Sequence, residues 1–370
     1  MKEKIRPYIR CLIFLAILAF VFAGLDFVFS PSGYVRYIMH ELNRKDTNYD
    51  TVIVGASHAR SAINPYKLDE KLGVNSINAA IPGAAVDDNY YQIEEIIKHN
   101  DVKTIIYDVD YQYWVKDQPK DNFNRSFVYQ QLGLKTKLEY LKNNYKYIDL
   151  RNICTNRLAY KVKLKNIERN LSVKTKSSYW NYDIEATFGK NGYVTEADGP
   201  YVGKGYSYRL VSGDKPGGRI VDQWVGRQNS DFDELPIEYF DKIKALCDKN
   251  NIRLVCVISP ITPSSVKYLG LETTHKKFKD FFSARGVEFY DFNDVKMSVL
   301  PRCDTDYGDL EGHMGGRVAD QYSELLASFL KDCSDGSYDK SDYFYSSFQD
   351  MYDNYKKDYT EATGLEWKGY

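Results

Sequence analysis

Cysteine is scarce and unpaired in this chain of 370 residues. Of six, Cys11 falls in an apolar N-terminal run. Cys154, Cys247, Cys256, Cys303 and Cys333 remain, an odd number with no CxxC spacing. That argues against a disulfide-stapled scaffold and a structural zinc site. Separately from the cysteines, no metal or organic cofactor is expected. Cys256 sits in an apolar segment and reads as core. Charge of one sign is also missing: the net charge is −1, so nothing draws the body to nucleic acid. Histidine is limited to five residues, which narrows the search for a general base.

What is present is apolar and aromatic. A 43% hydrophobic fraction fills a real core, and length suits one large α/β domain with an insertion, or two domains. The 33 tyrosines supply flat apolar area with a polar tip, suited to packing, sugars or interfaces. One apolar run is long. Lys2, Lys4, Arg6 and Arg10 precede residues 11–29, interrupted only by Asp26, a length matched to a bilayer core. Val21-Phe22-Ala23 also suits a signal-peptidase cut, but the run exceeds an ordinary signal core, so an uncleaved anchor is expected. The positive flank predicts a cytoplasmic N-terminus and an extracytoplasmic body: a single-pass protein of the cell membrane.

Residues 1–30 thus read as anchor and 31–47 as an amphipathic connector. From 48 to 332, strands and helices alternate. Strands are expected at 51–55, 74–80, 102–108, 252–258 and 287–291, and helices at 65–72, 84–100, 236–250, 271–285 and 315–331. This alternation predicts an α/β fold with a mostly parallel sheet covered on both faces. Functional loops then gather at the strand C-termini, where Ser57, Gly83, Asp108 and Ser259 fall.

Residues 111–235 read as an insertion or cap. Residues 130–176 carry 12 Lys/Arg against 3 Asp/Glu, a solvated face or a surface for anionic polymer or headgroups. Residues 178–235 are rich in glycine and aromatics (Tyr179, Trp180, Tyr182, Tyr193, Tyr201, Tyr206, Tyr208, Trp224), which suits a glycan groove or a β-rich cap packed on itself. In the tail, 333–370, Phe344, Phe348, Tyr352, Tyr355 and Tyr359 recur at helical spacing and predict a docked C-terminal helix.

The chemistry centres on Thr51-Val52-Ile53-Val54-Gly55-Ala56-Ser57-His58-Ala59, where a β-branched run ends in small residues and then a hydroxyl. A nucleophile needs that placement, with a rigid strand behind and little bulk beside it. It also needs a base. His40 lies near the connector, His58 adjoins Ser57 and should point away from it, and His99 and His275 belong to helices. His313 alone sits in a glycine-flanked loop before a helix, in Tyr307-Gly308-Asp309-Leu310-Glu311-Gly312-His313. Asp309 is the chosen orienting carboxylate, with Glu311 the alternative and Asp306 a distant third. Taken alone, Asp309 would read as a turn cap and His313 as a surface residue. The oxyanion of acyl transfer would be met by the N–H of Ser57 and by the turn at Gly83, itself also readable as an ordinary tight turn.

These residues resemble the SGNH hydrolase superfamily. Gly55-Ala56-Ser57-His58-Ala59 stands at its serine block, Asn78-Ala79-Ala80-Ile81-Pro82-Gly83 at its glycine block, and Asp309 with His313 at its last block. The likeness covers roughly 50–110 and 236–331, leaves the insertion uncovered, and implies a three-layer α/β/α, flavodoxin-like fold. With an anchor and exported body, the chain is more similar to the membrane-anchored branch. That branch holds the D-alanyl transfer protein of teichoic-acid D-alanylation and SGNH-like polysaccharide O-acetyltransferases, which work beside a membrane-bound O-acyltransferase. The resemblance implies a Ser57-His313-Asp309 triad that transfers O-acetyl or D-alanyl groups to a cell-envelope polysaccharide or teichoic acid. The rivals are a carbohydrate esterase with the same triad and a catalytically silent scaffold binding glycan or acyltransferase. Two departures stand out. The family spacing is Asp-x-x-His, whereas Asp309 lies four before His313. The family's asparagine donor after the third strand is replaced by Asp108-Val109-Asp110-Tyr111-Gln112, where Gln112 is the substitute to consider.

Overall fold

Short β-branched runs build the centre of the molecule. In this computed structural model the described residues are 2–29, 33, 35–114, 128–129, 132–146, 166–190, 199–211, 231–309 and 311–367. Strands β1 (Thr51–Val54), β2 (Ser76–Asn78), β3 (Thr104–Asp108), β6 (Arg253–Ile258) and β7 (Glu288–Asp291) form one sheet in the order β2-β1-β3-β6-β7. Every pairing in it is parallel. β4 (Tyr201–Gly203) and β5 (Tyr206–Ser207) form a separate antiparallel hairpin.

Alternation along the strands separates two cores. Val52, Val54, Ile105, Tyr107, Leu254, Cys256 and Ile258 face one side. Ile53, Ile106, Val255 and Val257 face the other. Each buried aliphatic side chain contributes roughly 1.5–3 kcal/mol. Helices α2 (Val35–Leu42), α5 (Val86–Ile96), α10 (Glu234–Lys249), α12 (Leu271–Ser283) and α15 (Phe348–Thr363) supply the first core. Helices α3 (Ser57–Ala62), α4 (Pro65–Leu72) and α13 (Gly316–Asp335) supply the second. The result is a three-layer α/β/α architecture. The chain leaves β1 toward β2 on one side and β3 toward β6 on the other, so the order in which strands are added reverses between β1 and β3 while the strands stay parallel. That crevice, at the strand C-termini, is where this class of sheet holds its ligands.

The N-terminal segment is the helix α1 (Lys2–Phe29), long and apolar enough over Arg6–Phe29 to cross a membrane. Its last turn is tied to α7 (Asn166–Lys174): Lys174 Nζ donates to the Phe27 carbonyl at 2.6 Å and Asn170 Nδ2 to that of Val28 at 3.3 Å. Between β3 and α10, α6 (Leu134–Asn144) lies on α5, with Tyr140 Oη donating to Asp88 Oδ1 at 2.8 Å.

The aromatic stretch departs from a β-rich cap. Its first part is helical, in α8 (Ser177–Trp180) and α9 (Ile184–Phe188), and only residues 201–207 pair as strands among the described residues. Tyr179 and Tyr182 close on the connector, Tyr179 and Trp180 also meet edge to face at 5.2 Å, and Tyr206 joins the second core. Tyr182 and Tyr179 hold the Arg36 guanidinium at 3.7 and 4.0 Å from their centroids, and Tyr182 stacks on His40 at 3.5 Å. Tyr193 and Trp224 lie outside the described residues. Helix α11 (Pro263–Tyr268) follows β6, and in the tail α14 (Lys340–Tyr343) is short while α15 buries Phe348, Met351, Tyr355 and Tyr359. Among the described cysteines, Cys11, Cys247, Cys256, Cys303 and Cys333 are free thiols; Cys154 is outside the described residues.

Candidate active site

The seat of Ser57 begins with Gly55. Its φ of +146° is open to glycine, and a Cβ there would stand 2.7 Å from the Asp108 carbonyl oxygen and 2.9 Å from the Ala59 Cβ. The chain therefore leaves β1 in a tight elbow, and Ser57 becomes the first residue of α3. Asn89 Oδ1 accepts the Gly55 N–H at 3.1 Å and steadies the bend. A Gly55→Ala variant should lose about 2–4 kcal/mol of stability, combining backbone strain and overpacking. A lowered denaturant midpoint checks this, and an unchanged midpoint would contradict the elbow.

His313 arrives from the loop before α13. Tyr307 bridges Met314 antiparallel, Gly308 N–H donates to the His313 carbonyl at 2.8 Å, and Gly315 N–H to that of Asp306 at 2.7 Å. Inside this closed loop, Asp309 Oδ1 accepts the N–H groups of Glu311 (3.1 Å) and His313 (3.2 Å). His313 Nδ1 lies 2.7 Å from Asp309 Oδ2 and 2.9 Å from Oδ1, and His313 Nε2 lies 2.7 Å from Ser57 Oγ. Ser57, His313 and Asp309 thus form one hydrogen-bonded line. The four-residue spacing is absorbed at Gly312, whose φ is +91° and whose N–H returns to the Asp309 carbonyl at 3.3 Å. Gly312 also packs where a Cβ would stand 2.7 Å from that of Ile261.

Electrostatics favour this line. Burial raises the Asp309 carboxyl, but hydrogen bonds and charge from His313, with the Arg209 cation, outweigh it and hold the group well below the usual carboxylate range. Arg209 Nη1 reaches Asp309 Oδ2 at 3.3 Å from the segment following β5. Burial pulls His313 below its ordinary value, against the Asp309 hydrogen bond, so its neutral form persists into mildly acid solution. With Asp309 accepting from Nδ1–H, the lone pair sits on Nε2 and faces the serine.

The remaining candidates fall around this line. Glu311 does not orient His313 with its carboxylate; its backbone N–H serves Asp309 and its carbonyl serves His58. Asp306 is engaged elsewhere, with Arg317 and the Cys303 N–H. Gly83 lies in the turn before α5 with φ +72°, and the Ile81 N–H bonds the Gly55 carbonyl at 3.3 Å, holding that turn against the elbow. Gln112 is buried in a 3-10 turn, its N–H donating to Asp110 Oδ1 at 3.1 Å.

Three site residues escape the sequence reading. His58 makes no hydrogen bond to Ser57 among those of the described residues, but its ring stacks on that of His313, centroids 4.8 Å apart and planes 18° from parallel. Asp110 holds His58 at 3.0 Å, and Arg209 backs Asp309. The usable signal for the first two was strand adjacency. β1 and β3 are neighbours, so a histidine just past one and an acid just past the other meet. Nothing local marks Arg209.

No protein-family model matches the chain, and no curated protein does. Among solved structures it is similar to a Bacteroides fragilis protein with a provisional acylhydrolase assignment, at 9% identity over 82% of this chain and 97% of that one, TM-score 0.36. It is also similar to a GDSL-like lipase from Bacteroides thetaiotaomicron, at 7% identity, 83% and 99% coverage and TM-score 0.35. A third is an acetyl xylan esterase from the rumen bacterium Butyrivibrio proteoclasticus, at 9% identity, 78% and 64% coverage and TM-score 0.30.

Proposed function

We propose that this chain is a membrane-anchored serine acyl-transfer enzyme of the SGNH type. It carries an O-acetyl or D-alanyl group to hydroxyls of a cell-envelope polysaccharide or teichoic acid. The observation that carries this reading is the continuous Asp309–His313–Ser57 line at the sheet's switch point. Ser57 Oγ attacks the acyl carbonyl carbon while His313 Nε2 takes its proton, and Asp309 stabilises the resulting imidazolium. The Ser57 N–H and the Gly83 turn are the oxyanion donors. Collapse expels the donor's leaving oxygen or sulfur, which recovers the proton from His313, and leaves an ester on Ser57. An acceptor hydroxyl then loses its proton to His313, attacks that ester and frees the serine. The partner is a membrane-bound O-acyltransferase that delivers the acyl group across the bilayer.

Water as acceptor would make the same line a carbohydrate esterase. The asparagine donor's place after β3 holds two carboxylates, Asp108 bonded to Ser259 and Asp110 to His58, so neither reading gains a third oxyanion donor there and the acceptor decides between them. Full-length protein in detergent, given p-nitrophenyl acetate and a deacetylated envelope glycan, should form glycan ester faster than free acetate. Acetate alone would assign the esterase; neither product would leave only a scaffold.

The charged flank before the apolar helix puts the body outside the membrane. Protease added to intact spheroplasts should therefore digest residues 50–370. Full protection would contradict the extracytoplasmic assignment.

A further inference from the structure

His58 occupies a site that only a doubly protonated ring satisfies alongside an ionised partner. Its Nε2 lies 2.9 Å from the Glu311 carbonyl, which only accepts, so Nε2 carries a proton. Its Nδ1 lies 3.0 Å from Asp110 Oδ2, while Asp110 Oδ1 accepts the Gln112 N–H. Both side chains are nearly sealed, 7% and 3% exposed. A buried carboxylate needs such a partner, and the two charges compensate each other.

We propose that His58, as an imidazolium paired with Asp110, is a positioning residue that pins the catalytic loop through Glu311 and keeps the stacked His313 unprotonated. This rests on the acyl-transfer reading for its purpose. The groups facing the stacked pair are Asp108 and Asp110 from the end of β3, Asp309 and Glu311 from the catalytic loop, Arg209 from the hairpin, and Ser57. Burial opposes a charge on His58, yet Asp110, the Glu311 carbonyl and Asp108 outweigh it and push its pKa up to about 9. Asp108 is itself pushed up to about 6, by burial against its Ser259 hydrogen bonds. His58 and Arg209 both add to the depression of His313. A cation stacked on the base works in both halves of the reaction. It leaves His313 free to take the Ser57 proton at neutral pH, and it makes protonated His313 a stronger acid toward the leaving oxygen. The sign follows: removing the cation raises the His313 pKa, so the acid limb of kcat/KM moves to higher pH.

The test is a titration of the five histidines in full-length, ring-13C-labelled protein in detergent, with His58→Gln and Asp110→Asn beside wild type. Glutamine keeps an N–H for the Glu311 carbonyl and removes the charge. In wild type, the resonance lost on His58→Gln should remain that of an imidazolium through pH 7.5 or so, and His313 should titrate below its ordinary value. Both variants should raise the His313 pKa, and the acid limb of kcat/KM, by about one unit. His58→Ala, which also frees the loop, should lower kcat further than His58→Gln. A neutral His58 at pH 7 in wild type overturns the proposal. So does an unmoved His313 pKa in either folded variant, since a purely structural role would lower rate without moving it. Failure of the acyl-transfer reading shows differently, as absent turnover in wild type while these pKa shifts remain measurable.

Discussion

Replacing Ser57 by alanine should abolish acyl transfer, by a factor on the order of 10⁴–10⁶, while leaving the fold intact. The change removes one oxygen from a half-buried position at the start of α3, and alanine favours the helix. The elbow rests on the positive φ of Gly55 and its N–H bond to Asn89 Oδ1, and neither uses the Ser57 hydroxyl. What remains after the substitution is binding and the oxyanion donors, with no atom on which the acyl group can rest. A folded Ser57→Ala protein that still transfers acyl groups at the wild-type rate would remove the serine from the mechanism. Fluorophosphonate labelling should vanish in the same variant.

Asp309→Asn is expected to lower acyl transfer by about 10²–10⁴, and Glu311→Gln to leave it near wild type. Asp309 is the acceptor for two backbone N–H groups, for His313 Nδ1 and for Arg209. An asparagine turns one of those oxygens into a donor facing Arg209, and it allows His313 the tautomer whose Nε2–H blocks the serine. Glu311 meets the site through its backbone, which glutamine preserves. Kinetics of the two purified variants decide the point. A large fall in Glu311→Gln with full activity in Asp309→Asn would reverse the assignment.

The elements of the site differ in how far sequence reveals them. Ser57 was legible because a buried β-branched run ends in Gly55-Ala56, a pattern with a steric meaning. His313 was legible because the other four histidines had helical, connector or adjacent positions. Adjacency set His58 aside as a base for Ser57, and its ring nitrogens do go elsewhere, to Asp110 and the Glu311 carbonyl, but adjacency gave no sign of its stacking on His313. Neighbouring side chains on a helix do diverge, but the loop 307–314 lies over both, so Ser57 meets the edge of His313 and His58 meets its face. The irregular Asp309–His313 spacing needed the positive φ of Gly312, which no spacing rule predicts. Arg209 comes from 100 residues before Asp309, through a hairpin whose docking depends on Asn78 bonding the Lys204 carbonyl at 2.9 Å. The sheet and its helices were legible from alternation to within a few residues. Aromatic content in the insertion says what packs, not against what: Tyr179 and Tyr182 meet Arg36 of the connector, Tyr182 also stacks on His40, and Tyr206 enters the second core.

The most direct measurement is the mass of the enzyme during turnover. Full-length protein mixed with an excess of activated acetyl ester and quenched in acid within milliseconds should gain one acetyl group. Peptide sequencing should place it on Ser57, and the adduct should disappear when acceptor hydroxyls are added. Turnover with no covalent adduct at any quench time, or an acetyl group on another residue that the Ser57→Ala variant retains, would contradict a serine mechanism.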